Sequence, residues 1–502
     1  MTGRTLRRVL IANRGEIALR LIRACREARI ESVAVYSDAD MGSLHARSAD
    51  YAVRLGPARA SESYLSIPAV IRAAQEAQAD AVHPGYGFLS ERAEFARTCE
   101  DAGLVFVGPP ADVIERMGSK IAARELMQSA DVPVVPGQTP ADQSDAGVAR
   151  AARAIGYPVL VKASAGGGGK GMRVVRQDAD AFEAIQAARR EAAAAFGDGA
   201  LYVERLIENA RHVEIQVFAD SHGNVVHLFE RECSLQRRHQ KILEESPSPG
   251  ITLLVRERMG AAAVAATRAA GYRNAGTIEF LVEGEGDAAR FYFLEMNTRL
   301  QVEHPVTEEV TGVDLVRAQL AVAAGQPLPW AQADLVQRGH AIECRIYAED
   351  PANGFLPQAG PLLLYREPAG PGVRIDSGFQ QGDTVDVNYD PLIAKLIASA
   401  ETREAAIERA LSALRNFPLL GIRTNIAFLI RLLEDEGVRQ GRVDTGYVDR
   451  RIERLTDGGE IPLEAVAAAA LSPSPVAASA IGASDAPRTE RDPWSTLSGW
   501  GR

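Results

Sequence analysis

"KASAGGGGKGMR", residues 162–173, sets four consecutive glycines between Lys162 and Lys170, and what flanks that run decides the fold. It fails the Walker A pattern: Gly169 and Lys170 are followed by Gly171 where Ser or Thr is required, and Ser164 stands where the first glycine should be. Gly166, Gly168 and Gly171 do match a dinucleotide-type GxGxxG. That fingerprint must open a helix, so that a pyrophosphate meets the helix N-terminus. Here "MRVV" follows, which reads as a strand. Strand, glycine loop and strand make a mobile hairpin whose bare backbone N–H groups can approach phosphate oxygens, with Lys162 and Lys170 adding charge. A plain surface turn is the alternative, although most such turns need only one or two glycines. The loop alone leaves the reaction open.

Working outward, the chain opens with an apolar strand at 8–12, the turn "NRGE", a helical pattern in "IALRLIRACREA" and a second strand "ESVAVYS". Helices near 66–78 and 91–102 alternate with "ADAVHPG" and "LVFVGP". This predicts a parallel, doubly wound, Rossmann-like domain over 1–115. From 116 to 334 the texture is α+β: an alanine-rich helix at about 179–196, strands "LYVERL", "HVEIQVFAD" and "VVHLFERE", a helix at about 253–270, and a hairpin of "TIEFLVE" and "FYFLEMNT" turned by "GEGDAA". After 335, "HAIECRIYAED", "PLLLYREP", "VRIDSGF" and "TVDVNY" read as short strands. Two helices follow near 403–416 and 424–435, the first with Ile407, Leu411 and Leu414 on its buried side. That gives a third, α+β domain over 335–450, and an Ala/Ser/Pro-rich stretch over 451–502 that reads as a flexible tail.

With 502 residues the chain holds about three domains. A net charge of -10 argues against a general nucleic-acid partner, so basic clusters must serve a local anion. No stretch approaches the ~20 apolar residues of a membrane span, and the first apolar run is too short for a signal peptide. A cytoplasmic protein without membrane association is expected. Cys25, Cys99, Cys233 and Cys344 are scattered and predicted to be buried thiols.

The chemistry concentrates in "EMNTRLQVEHP". Its polar residues Glu295, Asn297, Arg299, Gln301 and Glu303 fall at period two and would share one face of an extended chain, with Met296, Thr298, Leu300 and Val302 facing a core. Glu279, before the hairpin turn, can lie across from this row. Two carboxylates and an amide oxygen suit Mg2+, which takes oxygen ligands and keeps waters and phosphates for the rest. Arg299 can hold a small anion in its planar fork, and Glu303 is placed as a base. An exposed amphipathic strand with solvated charges is the blander alternative. A further cluster, "ERECSLQRRHQK", packs Arg231, Arg237, Arg238, His239 and Lys241 together, for polyphosphate neutralisation or as a solvated basic face.

With "IANRGEIALR", "HPGYGFLSE", "RHVEIQV", "GHAIECRIYAEDP" and "YDPLIAKL" added to these, the chain from about 6 to 450 resembles the biotin carboxylase family of the ATP-grasp superfamily, the biotin-carboxylating part of acyl-CoA and pyruvate carboxylases. The resemblance implies a Rossmann-like N-terminal domain, a central ATP-grasp domain whose mobile glycine-rich lid spans about 134–204, and a C-terminal biotin carboxylase domain. It implies MgATP- and bicarbonate-dependent carboxylation of biotin through carboxyphosphate. It carries ATP contacts to Lys120, Lys162, Gly166, Gly167, Gly168, Gly169, Met172, Glu204, Leu206, His212, Gln236, His239 and Leu281. Glu279, Glu295 and Asn297 become Mg2+ or Mn2+ ligands. Lys241, Arg299, Gln301 and Val302 become the bicarbonate pocket, Glu303 the general base, and Arg345 with nearby Tyr86 the biotin contacts.

Departures are mild: Arg92 and Tyr347 stand where many members have Asn, and the "RIYAE" form leans toward methylcrotonyl-type subunits. No methionine is beside a lysine, so the Met-Lys-Met-like biotin attachment turn is absent from the 502 residues. The expected partners are therefore a biotin carrier supplied separately, as a protein or as a further part of a longer α-subunit, a carboxyltransferase subunit and a second copy of the chain. Another ATP-grasp ligase and a non-catalytic carboxylase subunit are the readings that compete with this one.

Overall fold

Alternating apolar strands and amphipathic helices at the N-terminus produce a five-stranded sheet with strand order 3-2-1-4-5 along the chain. All its pairings are parallel, Arg8–Ile11 lying between Glu31–Ser37 and Ala81–His83. The computed structural model describes residues 5–164 and 171–457. Gly166, Gly167, Gly168, Gly169 and Lys170 of the glycine run, and the tail from 458 onward, lie outside the described residues. The described residues up to Thr456 form one compact unit.

The strand that follows the glycine run is where the sequence puts it. Met172–Val175 pairs antiparallel with Val159–Ala163, which also pairs with Leu201–Arg205. Helices Asp145–Ile155 and Asp178–Phe196 bury Val148, Ala152, Ile185 and Ala188 against these strands. Gly171 closes the hairpin at φ +71°, and a Cβ there would stand 2.9 Å from Ala163 Cβ, so only glycine fits without strain.

A second sheet, eight strands long and antiparallel throughout, carries the polar motifs. From one edge it runs Arg290–Asn297, Asn274–Glu283, Arg211–Ala219, Val225–Arg237, Gln240–Ser246, His340–Tyr347, Leu392–Ala400 and Val373–Ser377. Helix Leu253–Ala269, capped by the Thr252 hydroxyl accepting from Val255 N–H, packs Val255, Met259 and Ala263 on Ile278, Phe280 and Val282. At the other end Ile407, Leu411 and Leu414 are buried as their spacing predicts, against Ile342, Cys344 and Leu396.

Three strands extend beyond what local sequence pattern marks. Val225–Arg237 runs on through "CSLQR", and Gln240–Ser246 and Leu392–Ala400 are full strands. The "CSLQR" extension, Gln240–Ser246 and Leu392–Ala400 are largely buried on both faces, so no period-two alternation marks them. All four cysteines are free and buried. No helix among the described residues is long and apolar enough to cross a membrane.

Candidate active site

Register assembles the site across the long sheet. Glu295, Glu279, Glu214 and Arg231 are direct partners on four successive strands, and directly opposed residues share a face. A neighbouring rank begins with Gln236 opposite Lys241, and Glu244 lies opposite Glu343. Arg345 lies opposite Lys395, which in turn lies opposite Asp376. Residues scattered over a hundred positions of sequence thus line one strip of sheet.

The strand carrying Glu295 is re-aimed by a bulge. Phe293 pairs with Phe280 and Glu295 with Glu279, leaving Leu294 without a partner between them. Phe291, Phe293 and Met296 all join the same core, and the extra residue reverses the alternation between Phe293 and Met296. Without it Glu295 would share the face of Phe293 and point into that core.

The polar row is extended only as far as Asn297. Beyond that residue the chain leaves the strand, and Glu303 caps the helix His304–Thr311. The expectation of one extended face over 295–303 is corrected accordingly, because hydrogen bonds rather than pleat geometry gather the row. Arg299 donates to Asn297 Oδ1 at 3.0 Å and to Gln301 Oε1 at 2.8 Å, while Asn297 Nδ2 reaches Glu279 Oε1 at 2.8 Å. Glu91 of "HPGYGFLSE" accepts from Arg299 Nε at 2.9 Å and from Thr298 N–H at 3.2 Å, tying the N-terminal segment to the row. Asn297, Gln301 and Glu303 are buried, which excludes a solvated amphipathic strand.

Glu303 lies between two cations. Lys241 Nζ donates to its Oε1 at 2.5 Å and Arg345 donates to its Oε2 at 2.9 Å. Burial alone would raise its pKa, but Lys241, Arg345 and Arg231 together hold it well below the usual carboxylate range. Lys241 also reaches Glu214 Oε2 at 2.6 Å and Glu279 Oε1 at 3.0 Å. Arg345 rests on Glu244 Oε1 at 2.6 Å, and burial pushes the Glu244 carboxyl up to about 7 against the pull of Arg345.

Glu279 and Glu295 face each other with Asn297 beside them. Burial and the Glu279 charge raise the Glu295 pKa, partly offset by Lys120. The donors are two facing carboxylates and an amide, so the set fits a hard divalent cation. Glu279 itself is held low by Lys241 and by His212, whose Nε2 is 3.0 Å from its Oε2.

At the other end, Lys162 is buried and ion-paired with Glu204; burial lowers its pKa, and Glu204 and Tyr202 more than restore it. Met172 is the register partner of Lys162 and Leu281 that of His212. Lys120 opens the helix Lys120–Ser129, with its N–H on Ser164 O at 3.3 Å, and burial lowers the pKa of its ammonium. Leu206 donates its N–H to Pro158 O at 3.1 Å. His239 and Arg238 stand exposed on the two-residue turn between Arg237 and Gln240, both at positive φ. Tyr86 sits with its ring centroid 5.9 Å from Lys395 Nζ, the residue opposite Arg345.

The basic cluster therefore divides. Arg231 is fully buried and is occupied by Glu214, Gln216, Thr307 and Thr277, so it is a scaffold cation and not a phosphate ligand. Arg237 lies over the Phe355 ring at 4.0 Å. The sequence reading missed Glu91, Glu214 and Glu244. Glu91 lies within "HPGYGFLSE", and Glu214 falls at period two with His212 and Gln216 in "RHVEIQV", a polar row of the same kind as the one around Glu295.

Family models match in three segments: "Biotin carboxylase, N-terminal domain" over 5–114, "Carbamoyl-phosphate synthase L chain, ATP binding domain" over 119–331 and "Biotin carboxylase C-terminal domain" over 343–450. A biotin carboxylase of Halalkalibacterium halodurans is 50% identical over 450 residues, covering 90% of this chain and 99% of that protein. The mitochondrial methylcrotonoyl-CoA carboxylase subunit alpha of Rattus norvegicus is 49% identical over 471 residues, covering 93% of this chain. The chain spans 66% of the length of that subunit. The Campylobacter jejuni biotin carboxylase solved with a βγ-ATP ligand superposes with a TM-score of 0.86 at 46% identity, covering 89% of this chain and 99% of that one. The biotin carboxylase domain dimer of Hydrogenobacter thermophilus 2-oxoglutarate carboxylase, solved with MgADP, ADP and bicarbonate, also gives 0.86, at 44% identity, with 91% of this chain and all of that one covered. With half of its residues shared over the full length of a biotin carboxylase, and with that family's three segments in order, this chain belongs to the biotin carboxylase family.

Proposed function

We propose that the site carboxylates biotin on a carrier, using MgATP and bicarbonate, as the first half-reaction of an acyl-CoA carboxylase. The observation that carries this reading is Glu303, an ionised carboxylate held between Lys241 and Arg345 beside the oxygen donors Glu279, Glu295 and Asn297. Bicarbonate is a poor electrophile, and its phosphorylation to carboxyphosphate makes a carbon that can be delivered to the biotin N1' nitrogen.

Glu279, Glu295 and Asn297 would hold Mg2+, which when bound neutralises phosphate charge during transfer. Lys120, Lys162, Met172, His212, Gln236, His239 and Leu281 contact the nucleotide, with Glu204 and Leu206 toward its base, and the resemblance assigns Gly166, Gly167, Gly168 and Gly169 to ATP as well. Bicarbonate takes the pocket of Lys241, Arg299, Gln301 and Val302. An anion there competes for Lys241, loosens the hold on Glu303 and makes it a stronger base for the bicarbonate proton. Arg345 then faces the ureido oxygen of biotin, with Tyr86 beside it, and stabilises the enolate form that attacks.

The domain division at about 115, 334 and 450, the lid over 134–204, homodimerisation, a separate biotin carrier and a carboxyltransferase partner belong to the same proposal. Bicarbonate-dependent ATP hydrolysis, measured with and without free biotin, tests it. Stimulation by biotin is expected, and its absence in folded protein removes the reading.

A further inference from the structure

We infer that Lys395 is a positioning residue for this reaction: its buried ammonium holds the carbonyl of Val302 and thereby fixes the peptide that carries Glu303. Lys395 lies in the Leu392–Ala400 strand and is completely buried. Its Nζ donates to Val302 O at 2.9 Å and lies 3.2 Å from Glu16 Oε2 and 3.7 Å from Asp376 Oδ2. Glu16 comes from the first helix of the N-terminal sheet, and Asp376 is the register partner of Lys395 on the edge strand.

Stability does not explain such an arrangement, because a buried ion pair is commonly no better than an apolar residue of similar volume in its place. Geometry does explain it. The strand that carries the metal-type donors ends at Asn297, and Glu303 begins a helix at φ -80°, ψ 11°, so no β-ladder holds the peptide at 302. The Lys395 ammonium supplies that hold. It is also the register partner of Arg345 and faces the Tyr86 ring, so one side chain touches or adjoins three parts of the site: the Val302 carbonyl, Arg345 and Tyr86. Neither "YDPLIAKL" nor "NRGEIALR" was otherwise used by the mechanism.

This inference rests on the proposed carboxylation and is tested with the full chain and free biotin. Lys395→Met removes the hold but leaves Glu16 a buried, less compensated carboxylate, so Glu16→Gln/Lys395→Met is made as its neutral companion. The expected result is a double variant that folds and binds ADP as the wild type does. Its biotin-stimulated kcat is expected to fall ~100-fold, the scale of an ångström-level misplacement, and its KM for bicarbonate to rise. Glu16→Gln alone, which retains the bond from Lys395 to Val302, keeps the wild-type KM. The inference is overturned if the folded double variant keeps wild-type kcat and bicarbonate KM, or if Glu16→Gln alone reproduces the loss. A wild-type protein without bicarbonate-dependent hydrolysis instead removes the function on which the inference rests.

Discussion

Arg345 donates to Glu303 Oε2 at 2.9 Å although the two residues are 42 positions apart and come from different segments, one in a strand and one at a helix start. The contact binds a guanidinium expected to meet biotin to a carboxylate expected to meet bicarbonate. Both are buried, and Arg345 adds to the stronger pull of Lys241 in keeping Glu303 ionised.

Glu303→Gln keeps the shape of that contact and removes the base. Coupled turnover is expected to fall ~10²–10⁴-fold, the range of general-base catalysis, with ADP affinity unchanged by calorimetry. Full carboxylation by this variant sinks the base assignment.

Lys120→Ala acts elsewhere. One charge-assisted contact to a phosphate is lost, so nucleotide affinity is expected to drop roughly 10–100-fold, and saturating ATP recovers much of the turnover. An unchanged nucleotide Kd contradicts the role given to Lys120.

Glu295→Gln is expected to separate stability from activity. In metal-free protein it removes a charge whose burial, together with repulsion from Glu279, raises the Glu295 pKa, so Tm rises. Metal affinity falls in the same variant, read as a higher Mg2+ concentration for half-maximal ATP hydrolysis. A lower Tm in chelator would show that attraction from Lys120 outweighs burial and repulsion at Glu295.

Burial pushes Glu16 up to about 7 against the attraction of Lys395. A carboxyl whose folded pKa lies above its unfolded value binds more protons when folded, so its contribution to stability is greatest at low pH. That contribution is lost as pH rises from the unfolded value to about 7. Glu16→Gln is therefore expected to gain stability relative to wild type between pH 5 and pH 8, in urea melts, by on the order of 2–3 kcal/mol. A pH-independent difference between the two proteins refutes this titration.

Arg231→Met leaves Glu214 with only Lys241 as counter-charge and strips partners from Gln216, Thr307 and Thr277. A loss of about 3 kcal/mol in chemical unfolding is expected, as for one partner removed from a buried ion pair. A neutral result would show that the buried Arg231–Glu214 pair holds the sheet no better than an apolar side chain does.

Much of this was legible in the residues. The strand after Gly171, the parallel N-terminal sheet and the buried face of Ile407, Leu411 and Leu414 follow from local periodicity, because alternation and helical spacing are imposed wherever one face meets a core. The residue types at Glu279, Glu295, Asn297 and Glu303, two carboxylates with an amide and a third carboxylate beyond them, are those that a hard cation and a proton acceptor require, and they are visible in the sequence alone. Periodicity is silent where both faces are buried, as in Gln240–Ser246 and Leu392–Ala400. It also extended the row at 295–303 past the point where the strand ends.

Which carboxylate meets which cation was decided only in three dimensions. The sequence determines that acidic, basic and amide groups exist in strand-forming segments, since that is a property of composition and spacing. The bulge at Leu294, the register that aligns Glu295, Glu279, Glu214 and Arg231, and the reach of Lys395 to Val302 are long-range pairings. Such pairings form because a buried charge must find a counter-charge wherever the fold places one, and no local pattern encodes that address.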